Sequence, residues 1–239
     1  MEWWIPLLIV FSILGFAGIT ILIIVIISIN EKRGDYNDGG GQQDGAPETL
    51  TIYMSRSEKA GMRGERKVNS KLLPLLRNDE YLLNNILVPL NNGDTVEIDA
   101  IIISRKGIFC IETKNWAGII RGSEDDEYWT QRYDDPSKTS KKHKNPIIQN
   151  ERHCGVLDHI FHGHFTIEGA VIFVKQNAKY HIKSSSCYTI SQFKNYYRSL
   201  GDYELTVEEV KQIYQKLSTY IPTQEQLEEH IERVRQIHS

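Results

Sequence analysis

Apolar residues first occur as one unbroken block. Residues 5–29, IPLLIVFSILGFAGITILIIVIISI, contain no charged side chain. At a helical rise of about 1.5 Å per residue the block is longer than the roughly 30 Å hydrocarbon core of a bilayer. It predicts one membrane-spanning helix within an anchor at 1–33. A secretory signal would need a basic start, a shorter apolar core and a small-residue cleavage site. Glu2 precedes this block instead, and EKRGDY follows it. Trp3 and Trp4 suit an interfacial belt, and Lys32 and Arg33 at the far end place the remaining chain in the cytoplasm by the positive-inside rule. The predicted topology is therefore single-pass, with a cytoplasmic C-terminal domain. Residues 34–47, GDYNDGGGQQDGAP, hold no aliphatic residue larger than Ala and read as a flexible linker.

Beyond residue 48 the pattern changes to that of a globular chain. In 58–78, Val68, Leu72, Leu75 and Leu76 recur at three-to-four spacing, which predicts a helix that Pro74 kinks or restarts. NILVPL is a short strand candidate, a hairpin follows over 97–116, and AGIIRG is another strand. The polar stretch 123–144 reads as loop, with room for a strand near Trp129. NPIIQNERHCGVLDHIF has helical periodicity and opens on Pro146. GAVIFV is a continuous apolar run, as in a strand covered on both faces. Three helical patterns end the chain, and capping boxes, Thr206 with Glu209 and Thr223 with Gln226, open two of them. The order helix, strands, helix, strand, helices predicts an α/β fold around a mixed sheet. The expected organisation is a globular domain at 48–181 and a C-terminal helical extension at 182–239.

Composition narrows the picture only a little. The net charge of −3 excludes a generally basic surface, so any nucleic-acid site must be local. The three cysteines are widely spaced, which argues against a disulfide framework and suits a reducing compartment.

The hairpin EIDAIIISRKGIFCIETKNW carries charges where its neighbours belong in a core. Glu112 and Lys114 share a strand face with Ile108 and Cys110, and Asp99 shares its face with Ile101 and Ile103. If the turn has two residues, Arg105 and Lys106, or four, 104–107, Asp99 lies opposite Glu112. A three-residue turn with a bulge at Gly107 would separate them. If they converge, two carboxylates repel, and a divalent cation or an ammonium relieves the repulsion. Hard oxygen donors suit Mg²⁺ or Mn²⁺, held by Asp99, Glu112 and the backbone carbonyl of Thr113. Such an ion can polarise a phosphodiester and acidify a bound water, and Lys114 can orient that water. The competing reading is a hairpin whose charges face solvent, with Asp99 paired to Lys114.

Three stretches, GMRGER at 61–66, EIDAIIISRKGIFCIETKNWAG at 97–118 and NPIIQNERH at 145–153, together resemble the nuclease-related domain (NERD) family, a relative of the PD-(D/E)XK nucleases. The resemblance spans roughly 58–175. It implies a restriction-endonuclease-like core of helix, three antiparallel strands, helix and strand. It implies metal-dependent hydrolysis of nucleic acid, DNA or RNA, with Asp99, Glu112 and Lys114 as the signature. Glu65 matches the acidic residue of the first helix, and Gln149 the glutamine of the later helix. VEIDA stands where the nucleases have Pro-Asp.

Other features have two readings each. Lys138, Lys141, Lys142 and Lys144 in KTSKKHK could hold a nucleic-acid backbone, or form a solvated loop that balances EDDE at 124–127. Trp116, Tyr128 and Trp129 could stack on bases or pack on the sheet. His153, His159, His162 and His164 lack a helical zinc spacing. Cys110 could respond to oxidants or serve as a small buried apolar group. The alternative to a nuclease is a non-catalytic, membrane-tethered module that binds nucleic acid or protein through the same fold.

Overall fold

The computed structural model describes residues 56–202 and 204–238. The anchor and linker expected at 1–33 and 34–47 lie outside the described residues. Among those described, no helix is long and apolar enough to cross a membrane.

The chain opens with α1 (Arg56–Leu72), whose axis ends in a 3₁₀ turn (Leu73–Leu75) built around Pro74. Strands β1 (Tyr81–Pro89), β2 (Thr95–Ser104) and β3 (Gly107–Lys114) follow, then β4 (Ile119–Ser123), β5 (Tyr128–Arg132) and β6 (Lys141–Lys144). Helix α2 (Pro146–Ile160) leads into β7 (Ile167–Phe173), β8 (Lys179–Lys183) and β9 (Cys187–Thr189). Helices α3 (Ile190–Ser199), α4 (Val207–Ser218) and α5 (Gln224–His238) complete the described chain. This is the expected mixed α/β architecture, with sheets flanked by helices.

The central sheet has the order β1-β2-β3-β7-β9. β1, β2 and β3 are antiparallel, whereas β7 runs parallel to β3, and β9 to β7. The apolar runs of β2 and β3 are continuous because both sheet faces are covered. On one face Ile101, Ile103, Ile108 and Cys110 pack with Leu157 of α2 and Val210, Ile213 and Leu217 of α4. On the other, Ala100, Ile102, Phe109 and Ile111 meet Val68 and Leu72 of α1 and Phe193 and Tyr197 of α3. Each fully buried Ile or Phe contributes about 1.5–3 kcal/mol, so this layer carries most of the stability.

A second sheet, β6-β5-β4-β8, was not expected. The stretch 123–144 holds β5, the strand for which the sequence left room near Trp129, and also β6 in place of loop, and residues 179–189 hold two more strands, β8 and β9. KKHK of β6 has no apolar alternation; its ladder with β5 places it there. β1 also begins at Tyr81, well before the NILVPL segment. The second sheet buries Ile120 and Trp129 against Ile147, Val171 and Phe173. Gly122 allows this, since a Cβ there would come within 2.3 Å of the Trp129 ring. Asn145 joins this sheet to α2. Its side-chain oxygen caps Ile147 N, and its amide donates to the carbonyls of Ser123, Glu124 and Asp126.

All three C-terminal helices are present. The reciprocal side-chain bonds expected at Thr206–Glu209 and Thr223–Gln226 form, and Thr189–Gln192 makes a third set. The described residues form one compact unit, and position 182 falls inside β8.

Candidate active site

The hairpin turn has two residues. Ser104 pairs with Gly107 and Ala100 with Ile111, so Asp99 stands at the level of Glu112. There the ladder stops, and the Asp99 carboxylate takes over as acceptor: Thr113 N donates to its Oδ2 at 2.7 Å. The β1 ladder also passes over this level, pairing Asn84 with Ala100 and Ile86 with Ile98. Asn85, between them, has φ +49°, a left-handed conformation that Asn tolerates better than most residues.

Glu112 is only 2% exposed. Its Oε1 accepts from Lys114 Nζ at 2.5 Å, and the same ammonium donates to Gln149 Oε1 of α2 at 3.1 Å. Gln149 and His153 lie one turn apart on α2, so both reach the face that Glu112 and Lys114 share. His153 Nδ1 approaches Glu112 Oε2 to 3.4 Å, yet both atoms are buried without a hydrogen-bond partner.

Glu65 comes from α1. Gly64 lets this helix approach the end of β3, because a Cβ there would stand 2.9 Å from Asn115 Cβ. Asn115 in turn donates to the Ala60 carbonyl at 2.6 Å. Glu65 Oε2 accepts from Asn85 Nδ2 at 3.0 Å, and that amide also reaches Glu97 Oε1 at 3.2 Å. The other Glu97 oxygen lies 3.4 Å from His230 Nε2 of α5.

The electrostatics record one crowded site. Burial, then the charges of Glu112 and Glu65, raises Asp99 well above the usual carboxylate range. Burial also raises Glu65, with Glu97 and Glu112 adding to it against the Asn85 bond. Burial raises Glu112 too, and the Lys114 ammonium offsets only part of the rise. Burial, then Lys114, pushes His153 down to about 4, so this imidazole is neutral at physiological pH despite its carboxylate neighbour.

That last shift predicts a pH dependence of stability. Unfolded His153 takes up a proton near 6.5, whereas folded His153 does so only near 4. Between those values the unfolded state binds more protons, so this group destabilises the fold as pH falls through the window, by up to about 3 kcal/mol. The raised carboxylates act in the opposite sense. His153→Gln is therefore expected to lose less stability than wild type between pH 6.5 and 4, as read by denaturant midpoints.

Of the residues singled out in the sequence, Glu65, Asp99, Glu112, Thr113, Lys114 and Gln149 gather here. The lysines do not. Lys138 sits in an exposed loop, 3.7 Å from Asp135 and over the Tyr133 ring. Lys141, Lys142 and Lys144 are exposed on β6. Trp129 is fully buried, as packing predicts, whereas Trp116 is half-buried, stacks on His143 at 4.2 Å and lies beneath Lys114. Cys110 is buried, and its thiol donates to Asn150 Oδ1 at 3.4 Å. His159, His162 and His164 are exposed.

Sequence reasoning missed Asn85 and Glu97 and gave His153 no place in the site. Signals existed. The Asn84–Asn85 doublet interrupts an apolar strand, Glu97 is two residues from Asp99, and His153 is four from Gln149.

The nuclease-related domain (NERD) model matches residues 60–174, which hold every member of this cluster except His230. An uncharacterized protein of Bacillus anthracis is 31% identical over 157 residues, 64% of this chain and 73% of that protein. The chain belongs to the nuclease-related domain family. No solved structure matches it.

The NERD site suits a hard divalent cation. Glu112 Oε2 is a buried oxygen without a donor, and the carboxylates around it repel one another. Among the described residues no three His, Cys, Asp or Glu side chains form a ready cage. Two carboxylates plus a carbonyl, with water filling the remaining positions, is the donor set that Mg²⁺ accepts.

Proposed function

We propose that this NERD domain hydrolyses phosphodiester bonds of nucleic acid with the aid of Mg²⁺ or Mn²⁺. The observation that carries the reading is the meeting of Asp99, Glu112, Lys114 and Gln149 at one sheet end. Asp99, Glu112 and the Thr113 carbonyl would hold the ion. A bound ion of this kind polarises the phosphodiester and lowers the pKa of water.

The chain's own residues supply the rest. The Lys114 ammonium, anchored at 3.1 Å by Gln149, orients the attacking water and balances charge gathering on the phosphoryl oxygens. Gln149 fixes the ammonium so that it is not fully committed to Glu112. Glu65, oriented by Asn85, orders a second water or ion. His153 closes the buried side of Glu112 without adding charge.

The domain would act from the membrane. The apolar block at 5–29 would anchor it, with the domain on the cytoplasmic side.

Calorimetric titration of the full chain with Mg²⁺ and Mn²⁺, beside cleavage assays on single- and double-stranded DNA and RNA, tests the reading. Ion binding and metal-dependent cleavage are expected, and Lys114→Ala should lower cleavage by about 10²-fold. One observation favours a non-catalytic binding module: Lys114 already neutralises Glu112 at 2.5 Å. Absence of ion binding, with Lys114→Ala equal to wild type, would overturn the catalytic reading.

A further inference from the structure

The second sheet has one covered face and one open face. Ile120 and Trp129 point inward, and β6 places His143 beside Trp129 and Lys141 beside Gln131 on that same side. Strand alternation then sends Arg121, Arg132, Lys142 and Lys144 to the opposite side. The register aligns them. Lys142 pairs with Thr130, Thr130 with Arg121, and Arg121 with His181, a single row across all four strands. At about 4.8 Å between strands the row spans about 14 Å.

These four cations are exposed. Among the described residues none of them is in an ion pair; the pairs that form use other cations. The acidic run 124–127 does not neutralise them either. Its Glu124 accepts from Ser185 N and its Asp126 from Ser123 N, both at the end of the sheet. On the same open face Tyr128, 47% exposed, pairs in register with Lys144.

A flat sheet face with unpaired cations around an exposed aromatic ring matches the chemistry of a nucleic-acid strand. Phosphates take the cations, and an unstacked base takes the ring. A duplex keeps its base faces inside and offers Tyr128 nothing to stack on. A lipid surface could use the cations and seat the tyrosine at its headgroups, so vesicle binding is made an outcome of the test. The opposite face of β6 adjoins the candidate site, since His143 stacks on Trp116 and Trp116 lies under Lys114.

We propose that the open face of the second sheet binds a single nucleic-acid strand, with Arg121, Arg132, Lys142 and Lys144 on phosphates and Tyr128 stacked on a base. The proposal rests on the nucleic-acid reading above and gives it a substrate form, a single strand delivered to the site.

The test is fluorescence anisotropy of the full chain in EDTA with a labelled single-stranded oligonucleotide of about 16 nucleotides. Binding in EDTA needs no cleavage, so the two readings fail separately. Arg121→Gln with Lys142→Gln should weaken binding at least tenfold and reduce the salt slope by about 1.4, at about 0.7 per lost phosphate contact. Tyr128→Ala should weaken it about fivefold or more with the slope unchanged. Lys211→Gln with Lys194→Gln, on α4 and α3, should change neither. Wild-type binding that survives the Arg121 and Lys142 changes, or that Tyr128→Ala leaves intact, overturns the proposal. So does a result in which those changes abolish binding only to phosphatidylserine vesicles. If the oligonucleotide binds as described but no metal-dependent cleavage occurs, the face stands and the hydrolytic function falls.

Discussion

Asp99→Asn should reduce phosphodiester cleavage on the order of 10³-fold and, at the same time, raise the melting temperature of the ion-free protein. The two effects share one cause. Asp99 is raised well above its ordinary range by burial and by the charges of Glu112 and Glu65. The fold therefore holds at Asp99 a group whose ionised form its surroundings disfavour. Asn keeps an oxygen that can accept the Thr113 N–H bond, now 2.7 Å long, and removes the repulsion. Relief of about 1 kcal/mol would raise Tm by about 2–4 °C for a domain of this size. Mg²⁺ should raise the Tm of wild type and have little effect on Asp99→Asn, because the ion gives the carboxylates the charge they lack. Thermal melts in EDTA and in Mg²⁺ read both effects. A variant less stable than wild type in EDTA would mean that the Asp99 charge holds the strand ends together instead of serving an ion.

The largest loss of stability is expected from a methyl group far from the chemistry. Gly122→Ala places a Cβ within 2.3 Å of the Trp129 ring. That ring cannot withdraw. It is fully buried, its Nε1 donates to Ser123 O at 2.9 Å, and it stacks with Phe173 at 6.3 Å. Overpacking of this kind costs about 3 kcal/mol, which corresponds to a fall in Tm of about 6–12 °C. Gly155→Ala is the control. Gly155 lies exposed in α2, where an added Cβ meets nothing within 4 Å, and Ala there should stabilise by about 0.8–1 kcal/mol. Urea unfolding of the two variants gives the comparison. Equal midpoints would show that the second sheet yields easily around Trp129.

These two predictions differ in how far they could be read from the chain. The Asp99 effect follows from local pattern: charges two apart on a strand, and a turn whose length sets which partners face each other. Glu65 and Gln149 could be assigned only through resemblance to the family, since nothing in their own segments points to β3. Asn85, Glu97 and His153 carry only spacing signals in their own segments, which do not say what they meet. Their importance comes from contacts across elements, such as the 3.0 Å bond from Asn85 to Glu65.

By itself the sequence determined the apolar block, the hairpin with its two-residue turn among few options, the helix caps and the order of the central elements. Those features depend on period, turn length and capping chemistry, which act over a few neighbouring residues. The second sheet depended on the tertiary structure. KKHK carries no apolar alternation and becomes a strand because β5 offers it unpaired backbone groups, whereas KYHIK does alternate, with Tyr180 and Ile182 turned to the core, and only the ladder with β4 shows which sheet it joins. Tertiary structure likewise decided that Glu112 is buried and Lys142 exposed, because burial depends on what the rest of the chain lays over a residue and not on the residue itself.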